Sequence, residues 1–189
     1  QLGQHDNPRT GKTCVHNPTY TSTLDLAHTF YTDVLQIRIA RNIREVIEQS
    51  KWKDTLQPEP EIELEKIART TTEAIRLGAV NLLSIPESEL TASYRWLDNY
   101  GLEVILSDSV AGGAGYVDKL RDFGALRLVK ATGELLDCRQ HCSNGCSSCL
   151  RSYTNQFYWD TLRRRPVQEY IKNLLAFKTA DSLASEGAV

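Results

Sequence analysis

Apolar and polar positions alternate along residues 24–40. Leu35, Ile37 and Ile39 point one way and Gln36 and Arg38 lie between them, a period of two that predicts a half-buried strand. Ile43, Val46 and Ile47 then recur at helical spacing and predict a helix over about residues 42–51. A break follows at 52–60, with Pro58 and Pro60. The longest periodic run comes next: Leu64, Ile67, Ala68, Thr71, Ala74, Ile75, Gly78, Ala79 and Leu82 line one helical face. Thr70-Thr71-Thr72-Glu73 has the form of a capping box, so the run reads as one helix or as two with a kink. Gly78 and Ala79 are small enough to let another element come close.

Residues 84–100 form a mixed connection in which Ser93-Tyr94-Arg95-Trp96 is a strand or a short helical turn. The continuous apolar centre of Leu102–Asp108 predicts a strand in the middle of the sheet. Val117, Leu120, Gly124 and Leu128, with Leu126, Val129, Leu135 and Leu136, predict a helix reaching towards Cys138, with Gly133 as a candidate kink. Pro166 suits the first turn of a last helix lined by Val167, Tyr170, Ile171, Leu174 and Leu175. The expected class is α+β tending to α/β: a small mixed sheet packed by three or four helices, with a C-terminal four-cysteine knuckle. The expected organisation is a polar loop or extended segment at 1–23, an auxiliary domain at 24–177 with its metal knuckle at 138–149, and a flexible tail at 178–189.

Four of the five cysteines fall within twelve residues, Cys138-Arg-Gln-His-Cys142-Ser-Asn-Gly-Cys146-Ser-Ser-Cys149. Two neighbouring cysteine pairs on short loops can supply the four soft ligands of a tetrahedral zinc ion, and four thiolates leave no open position for substrate, so such an ion is structural. Gly145 can take the positive φ that turns the chain around a metal, and His141 is a fifth candidate ligand. An iron–sulfur cluster is the alternative cofactor, since it also takes four thiolates. A redox relay and a pair of disulfides compete less well: nothing strand-like precedes Cys146, and a run this tight would strain two bridges.

Composition narrows the function classes. At 189 residues, 41% hydrophobic and 24% charged, the chain fits one soluble domain. No apolar run approaches the ~18 residues of a membrane span. Clustered cysteines without an export signal fit a reducing cytoplasm, and the absence of methionine reads as a piece of a longer polypeptide. A net charge of −2 argues against a free-standing nucleic-acid binder. One stretch is basic: Arg139, Arg151, Arg163, Arg164, Arg165 and Lys172 face only Asp160 and Glu169. Beside Phe157, Tyr158 and Trp159, the basic residues Arg151, Arg163, Arg164, Arg165 and Lys172 are candidates for phosphate contact, with the rings stacking bases; a solvated face paired with acids is the plainer alternative. The glycine-rich turn Gly112-Gly113-Ala114-Gly115 after Asp108 either cradles a ligand phosphate or is a tight packing turn with Asp108 capping the next helix. Arg9-Thr10-Gly11-Lys12-Thr13 only imitates the end of a phosphate-binding loop, because position 6 is Asp where Gly is needed. His28 stays unassigned, and Cys14 reads as a buried free thiol or as a leftover ligand of a truncated second site.

Several of these segments together resemble a known family. They are Leu26-Ala27-His28 with Thr32-Asp33-Val34-Leu35, Asp108 with Gly112-Gly113-Ala114-Gly115, the cysteine run continuing into Leu150, then Asn155, then Leu162-Arg163-Arg164. In order and spacing they resemble the zinc-binding C-terminal domain of MrfA-type helicases, shared by DrmB, a subunit of the DISARM anti-phage system. Ala27 and Ser147 replace a usual Gly and Pro, and neither change removes a metal ligand. The resemblance covers roughly residues 24–177. It implies a non-catalytic zinc domain beside a superfamily 2 helicase motor, in cis or in trans, within a DNA-repair or defence protein, where it positions DNA or docks the motor. A docking module without DNA contact is the alternative. A nuclease- or nucleotide-type enzyme using Asp108, the glycine turn and His28 is a further one.

Overall fold

Three antiparallel strands carry the sheet, in the order β3–β5–β4. A short hairpin precedes them: β1 (His5–Asp6) pairs with β2 (Thr13–Cys14). Then come β3 (Val34–Ile39), α1 (Ile43–Glu48), α2 (Pro60–Leu83), β4 (Leu90–Trp96), β5 (Leu102–Asp108), α3 (Tyr116–Phe123), α4 (Ala125–Leu136) and α5 (Arg164–Glu186). A 3-10 segment, Tyr153–Thr161, lies before α5. This computed structural model describes residues 5–6, 9–14 and 29–186, except the side chains of His5, Cys14 and residues 178–186. His28, the start of the strand expected from residue 24 and the side chain of Cys14 therefore lie outside the described residues.

The sheet is half-buried, as the alternation requires. Leu102, Val104 and Leu106 of β5 face the helices, flanked by Leu35, Ile37 and Ile39 of β3 and by Leu90, Ala92 and Tyr94 of β4. The opposite face is polar. There Glu103 of β5 is buried between Arg38 and Arg95 of the flanking strands, which hold its carboxyl below the usual range. The class is α+β and β5 is central as expected. The pairing corrects the expected mixed sheet, because every pairing in it is antiparallel, with β4 and β5 a hairpin.

The helices also refine the reading. α2 runs unbroken for 24 residues through the apparent capping box. Its threonines satisfy themselves in the helix: Thr71 Oγ1 donates to Ile67 O at 2.8 Å and Thr72 Oγ1 to Ala68 O at 2.9 Å. The run from Val117 to Leu136 is instead two helices, broken at Gly124, which sits at φ +79°. Gly133 lies inside α4, facing Leu175 and Ile171 of α5. Five helices therefore pack among the described residues, where three or four were expected. The backbone of α5 stays helical through residues expected to form a tail. Arg9 and Thr10 form a turn between β1 and β2, so Gly11 and Lys12 lead into a strand and not into the helix that a phosphate loop needs.

α2 and α4 cross at Gly78. A methyl group there would stand 2.7 Å from Thr132 Oγ1 and 3.0 Å from its Cα. Ordinarily Gly→Ala inside a helix gains up to about 1 kcal/mol. Here Gly78→Ala should instead cost about 1–3 kcal/mol by overpacking. Urea unfolding of the whole chain reads the sign directly, and a stabilised variant would mean that the helices cross less tightly.

Candidate metal centre

The metal-binding loop begins where α4 ends. Asp137 closes α4, and Cys138 comes at once after it. A tight turn brings the chain back: His141 N donates to Cys138 O at 2.9 Å, with His141 itself at φ +49°. A second turn repeats the device, with Cys149 N donating to Cys146 O at 3.0 Å and Cys146 N to Cys149 Sγ at 3.3 Å. Gly145 joins the turns where Leu162 Cδ1 and Leu150 Cβ would lie 3.2 and 3.3 Å from any Cβ, so a side chain would wedge the loop off its base.

The two turns face each other and gather four sulfurs. Cys138 Sγ lies 3.5 Å from Cys146 Sγ, Cys142 Sγ 3.6 Å from Cys149 Sγ, and Cys146 Sγ 3.8 Å from Cys149 Sγ. All four lie within 4.8 Å of one another. A tetrahedron of Zn–S bonds of about 2.3 Å has edges of about 3.8 Å, so the donor set fits one structural zinc ion. The separations are far beyond an S–S bond of about 2.05 Å, and the cysteines are free. They also leave no room for the several irons and sulfides of a cluster, which sets the iron–sulfur alternative aside. His141 is exposed and is not part of the group.

The thiols' own chemistry asks for a cation. Burial pushes Cys149 up to about 12 and raises Cys142 as well. Burial also raises Cys138, but the Gln140 backbone N–H and the neighbouring sulfurs outweigh it and bring that thiol down to about 7. Cys138 ionises readily, and buried Cys142 and Cys149 resist adding further charge beside it. A divalent ion removes that obstacle.

Behind the loop, polar residues of α2 hold the segment after the cysteines. Asn155, buried, donates to Glu73 Oε1 and to Leu150 O, both at 2.7 Å. Its Oδ1 accepts from Ser152 N and from Trp159 Nε1, both at 2.9 Å. Arg76 pairs with Glu73 and reaches Thr154 Oγ1 at 3.1 Å. Arg163 pairs with Glu63 at 2.7 Å, holding that carboxyl below its usual range, while Arg163 N donates to Thr70 Oγ1 at 2.9 Å. Glu63 and Arg76 carry no motif, and Thr70 and Glu73 carry only the apparent capping box, which does not point to this role. The hint available in sequence was a polar set at helical spacing on an otherwise apolar helix.

Most of the candidate phosphate-contact residues have partners within the chain. Arg164 is 1% exposed, with its guanidinium on Cys142 O, Leu136 O and Gln168. Arg163 is engaged by Glu63, and Arg165 donates to His141 O at 2.9 Å. Arg151 lies over the Trp159 ring at 5.4 Å, and Lys172 is exposed on α5. The glycine turn is likewise occupied by its own chain. Asp108 Oδ2 accepts from Ala114 N at 2.6 Å and from Tyr116 N at 3.2 Å, and its Oδ1 from Val117 N at 3.2 Å. Gly112 N donates to Tyr31 O at 2.7 Å, and the Asp33 side chain fills the space beside Gly113. The N–H groups of Gly112 and Gly113 go to the carbonyls of Tyr31 and Val110, and those of Ala114, Tyr116 and Val117 go to Asp108, an arrangement that suits a packing turn with Asp108 at the start of α3.

Residues 71–150 match the family described as the MrfA Zn-binding domain. The Druantia protein DruE of Escherichia coli (strain UMEA 4076-1) is 29% identical over 157 residues, which cover 74% of this chain and 8% of that protein. The chain therefore spans a small part of this relative's length. The crystal structure of the DUF1998 helicase MrfA bound to DNA is similar over 60% of this chain and 14% of its own, with a TM-score of 0.43 and 17% identity. The matched stretch runs from α2 past the last of the four gathered sulfurs, so residues 71–150 are similar to an MrfA-type zinc-binding domain where the ligand set lies.

Proposed function

We propose that this chain is a non-catalytic auxiliary domain of a larger helicase-type DNA-processing or anti-phage defence protein. One zinc ion on Cys138, Cys142, Cys146 and Cys149 orders it, and its role is to dock the helicase motor. The observation that supports docking is the 3-10 segment Tyr153–Thr161. A capping box of Ser152 and Asn155 fixes its start, and the buried amide of Asn155 ties it to α2. On this rigid base Tyr153 is 84% and Phe157 87% exposed, with Tyr158 and Trp159 beside them. Several exposed aromatics on one short, anchored segment suit an interaction site, and Tyr, Trp and Arg are the residues that dominate protein interfaces.

A second reading, DNA positioning, is favoured by two cation–ring pairs at the same place. Arg69 lies 4.2 Å from the Tyr158 ring centre, and Arg151 lies over Trp159. Such surfaces also stack single-stranded bases. An enzymatic role gains no support from Asp108, whose two oxygens hold three backbone N–H groups.

Two expected outcomes test this. Purified chain should carry one zinc per molecule by elemental analysis. Cys→Ser at any of the four positions should release it and speed amide exchange from residue 138 onward, whereas unchanged zinc content refutes the ligand set. The paired change Tyr153→Ser with Phe157→Ser should leave stability within about 0.5 kcal/mol, as surface changes do. It should weaken binding to the separately expressed remainder of the parent protein at least tenfold. Titrating single-stranded DNA at two salt concentrations separates the readings: steep salt dependence supports phosphate contact, and no binding at low salt leaves docking alone.

A further inference from the structure

Four arginine or carboxylate side chains are buried among the described residues: Arg76, Glu103, Asp108 and Arg164. Three of them are balanced. Arg76 pairs with Glu73, Glu103 lies between Arg38 and Arg95, and Asp108 caps the positive end of α3. Arg164 has no such balance. Its guanidinium meets only neutral acceptors: Nε on Cys142 O at 2.9 Å, Nη1 on Leu136 O at 2.6 Å and on Gln168 Oε1 at 3.3 Å, with Nη2 also on Cys142 O. No carboxylate among the described residues pairs with it. The acid nearest in the network, exposed Asp137, is reached only through Gln168.

Its position adds to the imbalance. Arg164 is the first residue of α5, and its own N–H donates to Asn144 O in the metal loop at 3.1 Å. A helix N-terminus already carries partial positive charge, which disfavours a cation there. A buried cation at the positive end of a helix, among neutral partners, is unstable unless an anion lies close by. The group beside it is the cysteine loop. Four thiolates carry four negative charges and zinc two positive ones, which leaves a net charge of minus two.

We propose that Arg164 is the charge partner of the four-thiolate zinc centre. Buried against the carbonyl of one ligand residue at the start of α5, it offsets the net negative charge of the metal group and so raises the affinity for zinc. It is a positioning residue that touches the loop and not the ion. The proposal rests on the zinc reading above. It also explains why two adjacent arginines do different work: Arg163 binds the acid of α2, and Arg164 answers the metal.

Zinc affinity of the whole chain, measured by competition with a chromophoric chelator, tests it with two variants. Arg164→Gln keeps hydrogen-bond donors for the carbonyls but removes the charge, and should bind zinc about 10–100-fold more weakly, the usual effect of losing an outer-shell partner. Arg164→Lys keeps the charge and loses the planar fork, and should stay within about threefold of wild type. Wild-type affinity in Arg164→Gln, or a loss in Arg164→Lys as large as in Arg164→Gln, overturns the proposal and leaves Arg164 a hydrogen-bonding clamp. If Arg164→Gln does not accumulate folded, Arg164→Lys still decides, since a tenfold fall there overturns it. A wild-type chain that binds no zinc at all fails the metal reading itself, which separates the two failures.

Discussion

The structure depends most on the demand that four sulfurs meet at one point. Between the end of α4 at Leu136 and the start of α5 at Arg164, the chain has no strand and only a 3-10 segment. Such a connection cannot fix its path through backbone ladders. The two cysteine turns fix it instead. Gly145 lets Leu150 and Leu162 close beneath them, and both leucines are fully buried. The sulfurs thereby set where the aromatic segment leaves the loop and at what angle α5 returns across α4. Metal binding and the order of this third of the molecule are one free-energy term.

α2 is the fixed post against which that term acts. Its apolar face builds the core, and Gly78 admits α4. A separate polar stripe receives the returning chain: Glu63 for Arg163, Thr70 for the Arg163 backbone, Glu73 for Asn155 and Arg76 for Thr154. These are long-range pairs, and each satisfies a group that would otherwise be stranded in a half-buried loop. Buried polar networks of this kind specify a single arrangement because a partly made one is costly. The zinc loop and the polar stripe thus hold the same segment from its two ends.

Period and spacing made much of this legible. The alternation at Leu35, Ile37 and Ile39 identifies β3, the apolar run of Leu102–Asp108 identifies the central strand, and the smallness of Gly78 marks the point where α4 comes close. The cysteine spacing pointed to a set of sulfurs that the fold does gather. The features that stayed hidden depended on partners far away in the chain. Sheet direction comes from how α1 and α2 return the chain, and no local pattern encodes that. The break at Gly124 reflects a left-handed φ inside an otherwise helical stripe. Asp108 and the glycine turn suit packing better than a ligand, yet leave both open in sequence, because a phosphate and a carboxylate satisfy the same N–H groups. Asp33, 75 residues upstream of Asp108, occupies the space beside Gly113, a contact that no local pattern signals.

The arginines after the cysteines show why a count of charges misleads about function. In sequence they form a basic run, and a basic run suggests phosphate. In the fold each is directed by a different neighbour: Arg163 to Glu63, Arg164 into the interior against the metal loop, Arg165 to His141 O and Arg151 onto Trp159. The positive charge is largely spent on holding the loop. Long-range attraction of a polyanion needs charges that remain free to face it, and a chain of net charge −2 has few to lose. The rings of Tyr153 and Phe157, by contrast, have no internal use that would account for their exposure. Exposed ring area more than free charge is what Tyr153 and Phe157 add to this surface.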